Sequence, residues 1–242
     1  MKEVRKLRDK ALKFYEKSHK YKFKKETFTS VTQLTHKFFE PFDAKGIARK
    51  LAKFPVYKKR GMGVRAILAE WKESAEHGTR VHQCMEDWIE GKPNPKEFVE
   101  ERDKLKFESG MKYMLENQTT EEDVTEVKIY SKKYKIAGMI DLLRHNSDGT
   151  ISLVDWKTNK RIMQKSYQGK TGIHKLTQDM DDCHTVKYAL QLSLYAYILE
   201  SEYGFKIKDL EIVHLMETKY RVYKVPYTKM LAKAILKTNL EE

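Results

Sequence analysis

The alternation of apolar and polar residues is clearest in the middle of the chain, where it has the period of two that β-strands require. Two β-rich runs, 135–143 and 150–156, are separated by Asn146-Ser147-Asp148-Gly149. The glycine of this loop can take the left-handed backbone conformation that closes a hairpin. A further strand is expected over 125–131. Together the three runs predict an antiparallel meander.

The segments that follow the meander complete an α/β pattern. Residues 185–203 form a strongly apolar helical segment that ends at Gly204, two strands follow over 210–216 and 220–225, and a last helix starts at about Thr228. A meander, a crossover helix and two more strands predict a central mixed β-sheet flanked by helices.

Helices are also expected before the meander. Ser30 is a suitable N-cap for one helix, which Pro41 would stop. A second is expected from Gly78 to Glu90, with Thr79 as its cap, and a third from Pro95. The upstream part of the chain is therefore predicted to be helical.

The first 25 residues carry an unusual charge. They hold eleven Lys or Arg against three Asp or Glu. Val4, Leu7 and Leu12 recur at helical spacing, which predicts a basic amphipathic helix. Such a helix could lie along a nucleic-acid backbone, or it could simply dock its apolar stripe on the body of the protein. We expect a basic helical extension over 1–75 and the core over 76–242.

Composition narrows the class of protein. The chain has 242 residues, of which 40% are hydrophobic and 34% charged, enough for one substantial core. Lys and Arg outnumber Asp and Glu by 48 to 35, a net charge of +13 that favours a polyanionic partner, although a basic soluble protein would share it. No apolar run approaches the roughly 20 residues that span a bilayer, so no membrane association is expected.

Cysteine usage and the N-terminus bear on the compartment. Cys84 and Cys183 are too few for a disulfide framework, which suits a reducing environment. The first residues lack an apolar segment and include Glu3, Asp9 and Glu16, which argues against a secretory signal or a transit peptide. We expect a cytoplasmic protein of a bacterium or of a virus-infected cell.

The predicted hairpin carries two acids and a lysine. If its loop is Ser147 to Gly149, paired positions sum to 296, so Asp141 faces Asp155. Lys157 shares a face with Asp155. Two facing carboxylates repel each other, and a divalent cation between them resolves the repulsion; oxygen ligands favour Mg²⁺ or Mn²⁺. Such a site fits phosphodiester hydrolysis, with Lys157 orienting or deprotonating water or neutralising the transition state. Taken alone, the three residues are equally compatible with an ordinary solvated hairpin.

The predicted hairpin contains Gly138-Met-Ile-Asp141 followed by Asp155-Trp-Lys157. This pair of motifs resembles the PD-(D/E)XK nuclease signature, although no proline precedes the first Asp. Two further motifs are Gly78-Thr-Arg-Val-His82, upstream of the hairpin, and Gln191-Leu-Ser-Leu-Tyr195, downstream. They resemble the RecB-type branch of this nuclease superfamily. The resemblance covers about residues 76–200 and is nearest to single-domain phage exonucleases and the mitochondrial genome maintenance exonuclease. It implies a restriction-endonuclease-like core.

The resemblance also implies roles for individual residues. The implied metal ligands are His82, Asp141, Asp155 and the backbone carbonyl of Trp156. Lys157 would be the catalytic lysine, and Glu126 matches a recurrent acidic position. Gln191 and Tyr195 would line the site and contact DNA or hold Lys157. Several relatives carry a four-cysteine iron-sulfur cluster, which this chain, with two cysteines, cannot form.

The long connection after the lysine is basic. Residues 159–181 combine cations, one aromatic residue and two glycines, which suits a lid over a nucleic-acid strand, although a disordered surface loop would have the same composition. The residues expected to contact nucleic acid here are Lys160, Arg161, Tyr167 and Lys170.

These observations predict a Mg²⁺- or Mn²⁺-dependent DNA exonuclease that acts on single-stranded ends in replication, recombination or repair, with proteins of those processes as partners. The alternatives are a structure-specific flap endonuclease and a catalytically inactive nucleic-acid-binding subunit. The second is less favoured because His82, Asp141, Asp155 and Lys157 are all present.

Overall fold

The strands and helices follow the chain in a mixed order that places a sheet between helical layers. The computed structural model describes residues 12–15, 20–93, 95, 97–117, 120 and 122–240. The strands are β1 (Leu12–Tyr15), β2 (Lys20–Phe23), β3 (Glu26–Ser30), β4 (Val124–Ser131), β5 (Ile136–His145), β6 (Ile151–Lys157), β7 (Ile207–Leu215) and β8 (Tyr220–Val225). The helices are α1 (Val31–His36), α2 (Ala44–Leu51), α3 (Pro55–Lys59), α4 (Val64–Ile89), α5 (Glu101–Glu116), α6 (His184–Tyr203) and α7 (Lys229–Thr238).

The meander forms as the sequence predicts. β4 and β5 pair antiparallel, and β5 pairs with β6 from Leu142↔Val154 to His145↔Ile151, so paired positions sum to 296. Gly149 takes the expected left-handed conformation, with φ of 77°. The register follows from the local turn and from the apolar alternation on both strands. The mixed sheet continues through β7, which is parallel to β6, to β8, as predicted.

Two strands share one edge of β5. β4 occupies the opposite edge along most of its length. On the shared edge, β3 pairs in parallel with Ile136 and Ala137, whereas β6 pairs only from Leu142 onward. Residues 138–141 lie between these two partners. β3 then turns directly into α1, whose first turn is capped by Ser30 Oγ, as predicted, through a 3.0 Å bond from Gln33 N. The sheet therefore divides at Asp141.

The N-terminal helix prediction is wrong for the part of that segment that the structure describes. Residues 12–15 and 20–23 are strands of an antiparallel ribbon that continues into β3; residues 1–11 and 16–19 lie outside the described residues. Leu12, Tyr21 and Phe28 are buried in one cluster. Burial of these side chains against the edge of the main sheet stabilises the ribbon. This tertiary contact outweighs the local preference for a helix.

Two helix boundaries also differ from the predictions. Residues 64–89 form one continuous helix, and Gly78 and Thr79 lie inside it rather than at its start. A Cβ on Gly78 would lie 3.0 Å from Thr158 Oγ1, so the glycine permits close approach to the end of β6. Gly91, with φ of 76°, lies just past the end of α4, in the left-handed conformation that commonly ends a helix. α5 begins at Glu101 rather than at Pro95.

Each face of the sheet has its own apolar layer. α1, α6 and α7 pack on the face that includes Ile140 and Leu153, and α4 and α5 pack on the face that includes Leu142 and Val154. The predicted division of the chain at residue 75 falls inside α4, and β3 belongs to the same sheet as β5. Among the described residues, no helix combines the length and apolar character needed to cross a bilayer.

Candidate metal and catalytic site

Three potential metal ligands converge where the sheet divides. His82 lies on α4, Glu126 on β4 and Asp141 on β5. One ligand atom from each lies within 4.8 Å of the other two, and His82 Nδ1 is 3.6 Å from Asp141 Oδ2. One imidazole nitrogen and two carboxylates are a donor set that binds divalent cations such as Mn²⁺ and Mg²⁺. The residues present therefore fit the metal that the resemblance implies.

A backbone irregularity brings Glu126 to this position. Ile140 and Leu142 are two residues apart, yet they pack on opposite faces of the sheet, so the normal alternation breaks at Asp141. On the neighbouring strand Glu126 has a φ of 48°, in the left-handed region that residues with a side chain rarely adopt. A left-handed residue of this kind costs about 1–2 kcal/mol. Glu126 therefore lies beside Asp141 with a strained backbone conformation.

The electrostatics of the cluster also disfavour two free carboxylates. Burial, together with the neighbouring charges of Asp141 and Glu86, raises the pKa of Glu126 to about 8. Glu126 therefore binds a proton at neutral pH unless a cation replaces that proton. A divalent ion held by these residues would supply positive charge between the two carboxylates.

Asp155 and Lys157 form a buried ion pair beside the cluster. Lys157 Nζ lies 2.5 Å from Asp155 Oδ2, and Asp155 is 5% exposed. Burial raises the pKa of Asp155 despite this cation, with Asp141 adding to the effect. Burial opposes the charge on Lys157, but the carboxylates of Asp155 and Asp141 outweigh it and raise the pKa of Lys157 above its usual value. Lys157 is therefore a cation at neutral pH.

Asp141 also fixes the end of the strand pairing. Its Oδ2 accepts a 2.8 Å hydrogen bond from Trp156 N. The side chain thus takes the place of the next backbone pair after Leu142↔Val154, and Asp141 and Asp155 do not form the predicted cross-strand pair in the ladder. The ligand roles of Asp155 and of the Trp156 carbonyl stay predictions, because the converging group consists of His82, Glu126 and Asp141.

Gln191 and Tyr195 lie on α6, facing the sheet. Gln191 Nε2 donates to Tyr195 OH at 3.2 Å. Tyr195 is 3% exposed, so its ring packs inside the protein. The nucleic-acid-binding roles of Gln191 and Tyr195 stay predictions. A Cβ at Gly138 would lie 2.3 Å from Tyr195 Cε1. Gly138 is therefore the residue that makes room for the tyrosine ring against β5.

The connection between β6 and α6 is a folded loop. Ile173 N and Thr177 Oγ1 each donate to Phe38 O at 3.0 Å, which ties the loop to the segment after α1. Tyr167, in a short 3₁₀ turn, is 72% exposed.

The Lys and Arg residues in the connection between β6 and α6 are all at the surface. Lys160 pairs with Glu70 of α4 at 2.8 Å, and Lys170 forms an ion pair with Glu40. Arg161 is exposed. Contact of Lys160 or Lys170 with nucleic acid would exchange these carboxylates for phosphates. Their binding roles, and that of Tyr167, stay predictions.

Two tyrosines near the site were not predicted. The Tyr188 ring lies under Lys157, with 4.6 Å between Nζ and the ring centroid. Tyr188 is three residues before Gln191 and seven before Tyr195, so helical spacing could have identified it. Tyr21 of β2 is buried, and its pKa is raised by burial and by the charges of Glu126 and Asp141. Its place depends on the N-terminal ribbon, whose sequence also fits a helix.

A family model for the PD-(D/E)XK nuclease superfamily matches residues 54–237, about three quarters of the chain. The chain therefore belongs to the PD-(D/E)XK nuclease superfamily. It is a nuclease, a hydrolase that acts on nucleic acid, and nucleases of this superfamily use divalent metals.

Comparisons with other proteins give only remote similarities. No curated protein matches the chain. Among solved structures, SSO0001 is 16% identical over 88% of this chain and 74% of its own length, with a TM-score of 0.38. A candidate exonuclease from Eubacterium rectale is 13% identical over 68% of this chain, with a TM-score of 0.40; this chain spans 65% of that protein's length. Neither similarity bears on the substrate.

Proposed function

We propose that this protein is a divalent-metal-dependent DNA exonuclease that digests single-stranded ends in replication, recombination or repair. The observation that carries the catalytic part is the convergence of His82, Glu126 and Asp141 beside the buried Asp155–Lys157 pair. The exonuclease mode, the single-strand preference and the pathway rest on the sequence motifs shared with single-domain exonucleases.

In this proposal the converging residues hold the cation and Lys157 acts on the substrate. A cation held by His82, Glu126 and Asp141 would bind a phosphate oxygen, lower the pKa of the attacking water and stabilise the negative charge of the transition state. Lys157 is protonated, so it suits the stabilisation of that charge better than the removal of a proton from water.

Asp155 and Tyr188 hold Lys157 in place. The ammonium group contacts both the carboxylate of Asp155, at 2.5 Å, and the Tyr188 ring, at 4.6 Å from the ring centroid. A cation–π contact of this kind favours the charged form of the lysine. The positioned cation needs no further rearrangement when negative charge develops on the phosphate.

The test is incubation of the protein with single-stranded and duplex DNA labelled at either the 5′ or the 3′ end. Mg²⁺ or Mn²⁺ should permit cleavage and a chelator should stop it. Early release of mononucleotides or short products from one end supports an exonuclease, whereas internal fragments or excised flaps identify an endonuclease. Absence of cleavage with both metals on every substrate, by a protein that still binds DNA, would contradict the proposal.

A further inference from the structure

The ribbon of β1 and β2 forms a wall beside the candidate site. Tyr21 and Phe28 pack with Ala137 of β5, and Met139 packs against the same cluster. Met139 is two residues before Asp141 on β5. Burial and the nearby charges of Glu126 and Asp141 raise the pKa of Tyr21, so this ribbon residue lies close to the site. The inner face of the ribbon therefore covers the stretch of β5 that ends at the candidate metal ligand.

The outer face of the ribbon is basic and carries an aromatic residue. Lys13, Tyr15, Lys20 and Lys22 are exposed, in alternation with the buried Leu12, Tyr21 and Phe23. Lys13 lies directly opposite Lys22, and Tyr15 lies opposite Lys20. The described residues of these two strands, 12–15 and 20–23, contain no acid.

The pairing of Lys13 with Lys22 is unfavourable for the ribbon by itself. Like charges directly opposite each other on neighbouring strands repel. Lys22 Nζ also lies 5.2 Å from the centroid of the Tyr15 ring, which is 44% exposed. Cations beside an exposed aromatic ring are the combination that binds single strands, with phosphates on the cations and a base on the ring.

We infer that the outer face of the ribbon, formed by Lys13, Tyr15, Lys20 and Lys22, binds the backbone of a single-stranded nucleic acid whose end lies in the active site. This inference rests on the proposed exonuclease function, since the ribbon's inner face adjoins the candidate site. Lys20 and Lys22 flank Tyr21, the ribbon residue that adjoins Glu126 and Asp141. Phosphates held by the lysines would relieve the repulsion between Lys13 and Lys22, and Tyr15 would stack on one base.

The experiment compares Lys22→Glu with Lys206→Glu. Lys206 is also exposed, and it adjoins Ile151 at the opposite end of β6 from Lys157. Both changes are made in an Asp155→Asn protein so that DNA is not degraded, and binding of fluorescent oligothymidylate is measured over a range of NaCl concentrations. Lys22→Glu should weaken binding about fivefold at 0.1 M salt and lower the salt slope by about 0.7, the contribution of one phosphate contact on a single strand.

The melting temperature of Lys22→Glu serves as the control for folding. Lys22→Glu makes the pair with Lys13 attractive, so the melting temperature should not fall while affinity does. Tyr15→Phe should retain binding, and Tyr15→Ala should lose it. Equal affinity and salt slope for Lys22→Glu and Lys206→Glu, or tighter binding of duplex than of single strands, would overturn the inference. If the parent chain binds through this face but cleaves no DNA, only the proposed DNA exonuclease function fails.

Discussion

Replacement of Glu126 by Gln should make the metal-free protein more stable at neutral pH while it destroys the metal site. In the folded chain the pKa of Glu126 is raised to about 8 by burial and by Asp141. In the unfolded chain its pKa returns to about 4.3. Between these values the folded protein keeps a proton that the unfolded chain has released. Stability therefore falls as pH rises through this window.

The size of the effect follows from that difference in pKa. One group contributes about 1.4 kcal/mol per pH unit between the two values, so Glu126 removes on the order of 3 kcal/mol from the stability of the metal-free protein at pH 7. Glu126→Gln has no charge to lose, and its advantage over the parent should grow from near zero at about pH 4.5 to that order at pH 7. The left-handed backbone conformation at position 126 is the same in the parent and in Glu126→Gln.

The assay is urea unfolding in chelator at several pH values. Glu108→Gln, at an exposed position of α5, is the control and should follow the parent. Adding Mn²⁺ should stabilise the parent, because a ligand that binds only the folded state raises its stability, and should stabilise Glu126→Gln much less. Parallel stability curves for the parent and Glu126→Gln between pH 5 and 8 would refute the assignment of a protonated Glu126.

Three further changes test other parts of the site. Asp155→Asn should abolish cleavage at nearly constant side-chain volume, and a circular dichroism spectrum like the parent's would separate this from unfolding. Lys157→Ala should slow single-turnover cleavage by about two to three orders of magnitude, the range for loss of one preorganised group that stabilises transition-state charge, with DNA affinity retained; near-normal turnover per folded molecule would make Lys157 structural. Gly138→Ala should destabilise the protein by about 1–3 kcal/mol, because its Cβ would overlap the Tyr195 ring. Unchanged stability would mean that the ring moves freely.

The meander could be predicted because its determinants are local. The turn at Gly149 and the alternation on its two flanking strands fix one register, and no distant contact is needed. His82, Asp141 and Lys157 were found because short motifs carry them. The sequence could not show how these motifs meet, since the approach of Glu126 depends on a left-handed residue and a break in strand alternation.

The N-terminal ribbon could not be predicted on the same basis. Alternation is visible in Tyr21, Phe23 and Phe28, but each strand is short, and Leu12 also fits a helical spacing. What selects the ribbon is contact with Ala137, more than a hundred residues away in the chain. The continuity of α4 through Gly78 has a similar cause, since that glycine faces Thr158.

The two strands that share one edge of β5 are expected to pair with it at different stages of folding, β6 early and β3 late. β4, β5 and β6 are consecutive and can pair as soon as they are synthesised, whereas Thr29 of β3 pairs with Ile136 across a long loop. Loop-closure entropy opposes such distant pairs, so we expect the ribbon to dock after the meander has formed. A chain halted at that stage would have Asp155 and Lys157 on their own strand but no wall over β5. The basic outer face of the ribbon would then be the last part of the proposed nucleic-acid path to take its place.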